Sequence, residues 1–159
     1  MKDGVTEIRH GWYSSFVGIG EHNGIRAVYK YFKTQSKFNK ELGFYKLLVG
    51  CPFVPELLHY DTDEKLLVLK YVGTTLDHKQ PWERNRYKSR IKKMNDSLIK
   101  DYKIHHNDVR WKNITEDEDG NLYLLDFERS TTVDRGPNER DDQEILIPEV
   151  ISPFFDYKD

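Results

Sequence analysis

The sequence predicts an α+β fold built from a small antiparallel sheet followed by a reduced, mostly helical part. Three observations predict it. The first 72 residues read strand, strand, helix, strand, strand. A long amphipathic helix follows, and after it come a polar loop and a short hairpin. The composition, with 13% aromatic and 37% hydrophobic residues, supports a buried core, and a length of 159 residues suits one domain, 1–159.

The elements follow from local pattern. Residues 12–19 are aromatic and β-branched, Gly20 to Gly24 (GEHNG) has turn chemistry, and Ile25 to Phe32 (IRAVYKYF) is a second strand of the same hairpin. From Gln35 to Val49 the period changes: Phe38, Leu42, Tyr45 and Leu48 recur at helical spacing, and Gly50 and Pro52 end the helix. Leu57 to Tyr60 and Lys65 to Val72 are short strands around the turn DTDE. Residues 73–81 connect to a helix from Glu83 to Tyr102, striped by Tyr87, Ile91, Met94, Leu98 and Tyr102. After the loop from His105 to Asn113, Ile114 to Glu116 and Leu122 to Asp126 form strands joined by DEDG. The remainder is acidic, with one apolar stretch from Ile145 to Ile151. The first part therefore spans 5–72 and the second 73–159.

Charge and cysteine content narrow the function classes. With 25 Lys and Arg against 27 Asp and Glu, the net charge of -2 excludes a globally basic nucleic-acid binder. Cys51 is the only cysteine, so no intrachain disulfide or cysteine-based zinc site forms, and a reducing, intracellular compartment (cytoplasmic or nuclear) is expected. The N-terminus lacks the apolar core of a secretory signal, and no run approaches the ~18 apolar residues of a membrane span.

Residues 84–103 hold eight Lys or Arg against two acids. With Trp82, Tyr87 and Tyr102 nearby for stacking, a nucleic-acid-binding module could use that face. A solvated helix balanced by the acidic C-terminal residues accounts for it better, with Tyr87 and Tyr102 in the core, so nucleic acid is not the expected partner.

The chemistry concentrates in one loop, His105-His106-Asn107-Asp108-Val109-Arg110-Trp111-Lys112-Asn113, and in Asp126, thirteen residues beyond Asn113. Taken singly, Asp108 and Asp126 are turn or cap residues, Lys30 is a strand lysine and Glu41 a helix-surface charge. In order, they resemble the catalytic core of the protein-kinase-like superfamily, in which His-x-Asp, four residues and Asn precede a hairpin and Asp-Phe-Gly. Ala27-Val28-Tyr29-Lys30 resembles the lysine-bearing third strand, Glu41 sits in the following helix, and Leu67 to Gly73 resembles the strand entering the hinge. The likeness covers roughly residues 10–130. His-Asn-Asp-Val-Arg-Trp with Asp126-Phe127-Glu128 is similar to choline and aminoglycoside kinases and to some fungal protein-kinase-like sequences.

The resemblance implies a minimal two-lobed fold that binds ATP and Mg²⁺ and transfers the γ-phosphoryl group to a hydroxyl, of protein Ser/Thr ahead of a small alcohol. Lys30, held by Glu41, would clamp the α and β phosphates; Asp108 would orient the acceptor hydroxyl and take its proton; Arg110 would face the γ-phosphate. Asn113 and Asp126 would ligate Mg²⁺. Backbone N–H groups of Ser14 and Ser15 would face phosphate, and Val17, Val28, Leu69 and Tyr71 would lie near the adenine. His106 would fix the loop by backbone hydrogen bonds.

Two departures matter. The loop Gly11-Trp12-Tyr13-Ser14-Ser15-Phe16-Val17-Gly18 keeps little of the family's glycine, and Glu128 stands where glycine is usual. Only 31 residues follow Glu128, which implies a truncated second lobe, completed in one version by a protein partner. The alternative function is a pseudokinase, a nucleotide-binding interaction module without phosphotransfer.

Overall fold

A computed structural model describes residues 5–10 and 15–136, and the chain divides into two units at Val72/Gly73. The first unit is a five-stranded antiparallel sheet with one helix. Its strands are β1 (Val5–His10), β2 (Ser15–His22), β3 (Ile25–Phe32), β4 (Leu57–Asp61) and β5 (Leu66–Lys70), in the order β1-β2-β3-β5-β4.

Helix α1 (Gln35–Leu47) lies between β3 and β4 in sequence. Thr34 caps it by accepting a hydrogen bond from the Lys37 N–H at 3.3 Å. All four members of its stripe, Phe38, Leu42, Tyr45 and Leu48, are buried. The helix stops at Leu47, two residues short of the expected end. The Leu48 N–H folds back to the Phe44 carbonyl at 3.0 Å, and Gly50 takes φ +85°.

The hairpin differs from the expected one. β2 runs on to His22, and only Asn23 and Gly24 turn, with φ 49° and 80°. Two positive φ angles define the turn whose twist matches paired strands, and Asn-Gly is the dipeptide that adopts it at least cost. β1 is an element that the sequence pattern did not reveal. Its register slips between Val5 and Glu7, which breaks the period-two alternation that marks a strand.

Opposed residues of an antiparallel pair share a face. Val17 lies opposite Lys30, Ile19 opposite Val28, and Lys30 and Val28 opposite Leu67 and Leu69. One face therefore carries Val17, Val28, Lys30 and Leu69. The other buries Ala27, Tyr29, Leu66 and Val68 in a cluster.

The second unit begins at Gly73, whose φ of +100° only glycine takes readily. A Cβ there would stand 2.0 Å from the Glu116 carbonyl oxygen. That closeness lets β6 (Thr74–Thr75) pair with β8 (Ile114–Glu116), which pairs in turn with β9 (Leu122–Leu124). Between them, α2 (Pro81–Tyr102) starts at a capping box of Gln80 and Glu83 with proline in its first turn, two residues ahead of the expected start. Tyr87, Ile91 and Leu98 of its stripe are buried, while Met94 and Tyr102 are half-buried.

β7 (Ile104–His105) pairs with β10 (Thr131–Thr132). These two-residue strands, like β6, are too short to show a period. The stretch Ile145 to Ile151 lies outside the described residues. No helix among the described residues is long and apolar enough to cross a membrane.

Candidate phosphoryl-transfer site

In the first unit, Lys30 and Glu41 meet. The Lys30 Nζ lies 2.9 Å from each carboxylate oxygen of Glu41. Glu41 sits among the buried residues of α1, three positions after Phe38 and four before Tyr45, so its carboxylate enters the core; its side chain is 1% exposed. A buried carboxylate needs a partner there, and the β3 lysine supplies it. Lys30 keeps 13% exposure and passes 5.1 Å from the Phe32 ring centroid.

Of the other nucleotide candidates, Val17, Val28 and Leu69 share the Lys30 face. Tyr71, one position past β5, donates its N–H to the Arg26 carbonyl at 2.9 Å, and its ring lies 4.1 Å beneath the Arg26 guanidinium. Ser15 opens β2 opposite Phe32. Ser14 lies outside the described residues.

In the second unit, a hydrogen-bond web gathers the loop around Asp108. His106 is fully buried, and its Nδ1 accepts from the Asp108 N–H at 3.1 Å. Its Nε2 therefore carries the proton and donates to the Leu125 carbonyl at 2.7 Å. Burial lowers the His106 pKa despite that backbone bond and the nearby Asp126 and Asp108 charges, so the ring stays neutral. Phe127, also fully buried, meets the ring edge-on at 4.9 Å.

Asn113 fixes the carboxylate. Its Nδ2 donates to Asp108 Oδ2 at 3.0 Å and to the Asp108 carbonyl at 2.9 Å. With the amide nitrogen so committed, the Asn113 side-chain oxygen is directed away from Asp108. The Asn113 carbonyl accepts the Leu125 N–H at 2.8 Å, which fastens the residue before Asp126 to the loop. Asp126 adopts φ 62°, and its Oδ1 accepts the Glu128 N–H at 3.3 Å. Glu128 is not among the positive-φ residues, so its backbone does not require the glycine usual there.

Arg110 turns to the carboxylate two residues before it. Its Nε pairs with Asp108 Oδ1 at 2.7 Å, so the guanidinium is a counter-ion to the carboxylate beside it. At that range, with Asp108 only 10% exposed, the attraction is screened less than it would be in water.

Asn107 is a residue that sequence reasoning missed. Buried at φ 67°, it donates from Nδ2 to the Arg129 carbonyl at 3.0 Å and to Thr131 Oγ1 at 2.9 Å, clasping the segment after Asp126. The available signal was an asparagine inside a polar loop, the residue type that tolerates a left-handed backbone best after glycine.

The basic face of α2 spends several cations on its own unit. Arg84 donates to the Asp77 and Lys79 carbonyls and lies 5.4 Å over the Trp111 ring centroid, Arg86 reaches the Tyr87 hydroxyl, and Arg90 reaches the Gly120 carbonyl. Lys92 pairs with Asp96.

No protein-family model matches the chain, and neither does any curated protein. Among solved structures, the chain is similar to the Cydia pomonella granulovirus kinase PK-1, with a TM-score of 0.64 and 20% identity, over 80% of this chain and 54% of that one. The chain thus spans about half the length of that kinase chain. The likeness shows the fold: a protein-kinase-like architecture with a small antiparallel-sheet unit followed by a second unit that holds α2 and short strands.

Proposed function

We propose that this chain is a Mg²⁺·ATP-dependent phosphotransferase that delivers the γ-phosphoryl group to a hydroxyl, of protein Ser or Thr ahead of a small alcohol. The observation that carries the reading is the Asp108 site. A nearly buried carboxylate is held at both oxygens, by Arg110 and Asn113, in a loop fastened to the strand end that bears Asp126. Phosphoryl transfer needs mostly positioning and charge neutralisation, and these residues supply both.

Asp108 orients the acceptor hydroxyl and takes its proton as the new O–P bond forms and the bond to ADP breaks. Lys30, steadied by Glu41, neutralises the α and β phosphates. The donor set fits Mg²⁺: Asp126 offers a carboxylate and Asn113 an amide oxygen, both hard, and Mg²⁺ keeps water in its remaining positions. When bound, the ion neutralises the charge of the phosphate chain.

A second reading is a nucleotide-binding module without transfer. It draws on the same geometry, because both carboxylate oxygens of Asp108 already have a protein partner, Arg110 and Asn113.

Thermal melting with nucleotide tests the proposal. ATP with Mg²⁺ should stabilise the protein, by about 2.7 kcal/mol at a hundredfold excess over Kd, and ATP with EDTA much less. Asp126→Ala should abolish the Mg²⁺-dependent part, and Asn113→Ala should reduce it. A shift independent of Mg²⁺ supports the second reading. No shift at millimolar Mg²⁺·ATP overturns both.

A further inference from the structure

Arg26 belongs to the nucleotide-facing side of the sheet, although no role falls to it in the mechanism above. Side chains alternate along a strand, so Arg26 projects from the same face of β3 as Val28 and Lys30. It stands four residues from Lys30, about 13 Å along the strand, with Val28 midway. If Lys30 meets the phosphates and Val28 covers the purine, Arg26 stands at the far edge of the base.

Its side chain is held there. The Arg26 guanidinium lies 4.1 Å over the Tyr71 ring, and the Tyr71 N–H is already committed to the Arg26 carbonyl. Glu21 is its cross-strand neighbour, yet no ion pair forms between them among the described residues. A guanidinium held over a ring by its charge still has N–H groups to donate, and arginine has no acceptor to offer. A base edge that suits it presents acceptors only. Guanine does so with O6 and N7, which arginine reads in a bidentate manner; the corresponding edge of adenine pairs one acceptor with an amino donor.

We propose that Arg26, stacked on Tyr71, is a specificity-determining residue that admits guanine, so that the site takes GTP as well as ATP. The inference rests on the proposed reading of this sheet face as a nucleotide site, and the test separates the two.

Equilibrium titration of the full chain with Mg²⁺·ATP and Mg²⁺·GTP measures it, for wild type, Arg26→Ala and Arg26→Lys, each checked by melting. Wild type should bind both nucleotides. Arg26→Ala should lose about tenfold in GTP affinity, the scale of one bidentate contact, while its ATP affinity moves less than about threefold. Arg26→Lys, which keeps the charge but not the fork, should also weaken GTP selectively. ATP binding with a GTP-to-ATP ratio unmoved by Arg26→Ala overturns this inference alone. Failure of wild type to bind either nucleotide overturns the proposed function and the inference together.

Discussion

Glu41 is a charge that the first unit buries against Lys30. Removing the lysine should therefore cost more than removing the pair. Lys30→Met takes the cation away from a carboxylate in the core and should lower unfolding stability by about 3–5 kcal/mol; Lys30→Met with Glu41→Leu should recover most of that loss without restoring nucleotide binding. Urea unfolding of the two variants compares them, and equal losses would mean that the Glu41 carboxylate carries no penalty once Lys30 is gone. His106 carries a second residue-scale consequence. Burial holds its pKa below the ordinary value, so the unfolded chain takes up a proton that the folded chain refuses. The stabilising contribution is present above the unfolded pKa of about 6.5 and is lost as pH falls toward the folded value. Melting temperature should drop across that interval in wild type, and His106→Gln should flatten that part of the profile. The spacing of Asp108, Asn113 and Asp126 was legible in the sequence because an ordered set of polar residues survives as a pattern. The pairing of Arg110 with Asp108 was not, since a two-residue offset in a loop fixes no direction for a side chain. Nor was the left-handed clasp of Asn107, which becomes visible only once Arg129 and Thr131 are folded back beside it.

Among the elements, legibility followed length and period. The stripes of α1 and α2 repeat often enough to place each helix within two residues, whereas β1, with its slipped register, and the two-residue strands β6, β7 and β10 carry no period at all. Gly73 shows what such a short strand depends on. Its positive φ and the nearby Glu116 carbonyl permit no side chain without a shift of backbone, and β6 pairs with β8 immediately after it. Gly73→Ala should destabilise the second unit by at least about 2 kcal/mol, from left-handed strain and overpacking together. Gly50→Ala is the control: φ is also positive there, but nothing lies within 4 Å of the added Cβ, so only the strain remains. If thermal unfolding shows equal losses for the two variants, the close approach at Glu116 has no energetic weight.

At the scale of the whole molecule, the two units divide the chemistry. The first holds a charge-paired lysine on a sheet face with Val17, Val28 and Leu69, and the second holds the two carboxylates and the amide to which the proposed function gives the acceptor and the metal. The fold they make is that of a protein-kinase-like chain, reached at 20% identity to a viral kinase, so function is argued from the site. The central claim is that Asp108 acts on the acceptor hydroxyl. The most direct test is the rate of γ-phosphoryl transfer from labelled ATP, in the presence of Mg²⁺ and a generic protein acceptor, for wild type and Asp108→Asn at matched nucleotide occupancy. The asparagine keeps the shape and loses the charge that takes the proton. Transfer should fall at least about a hundredfold while ATP affinity holds. Transfer within about tenfold of wild type would contradict the role of Asp108 and the mechanism built on it.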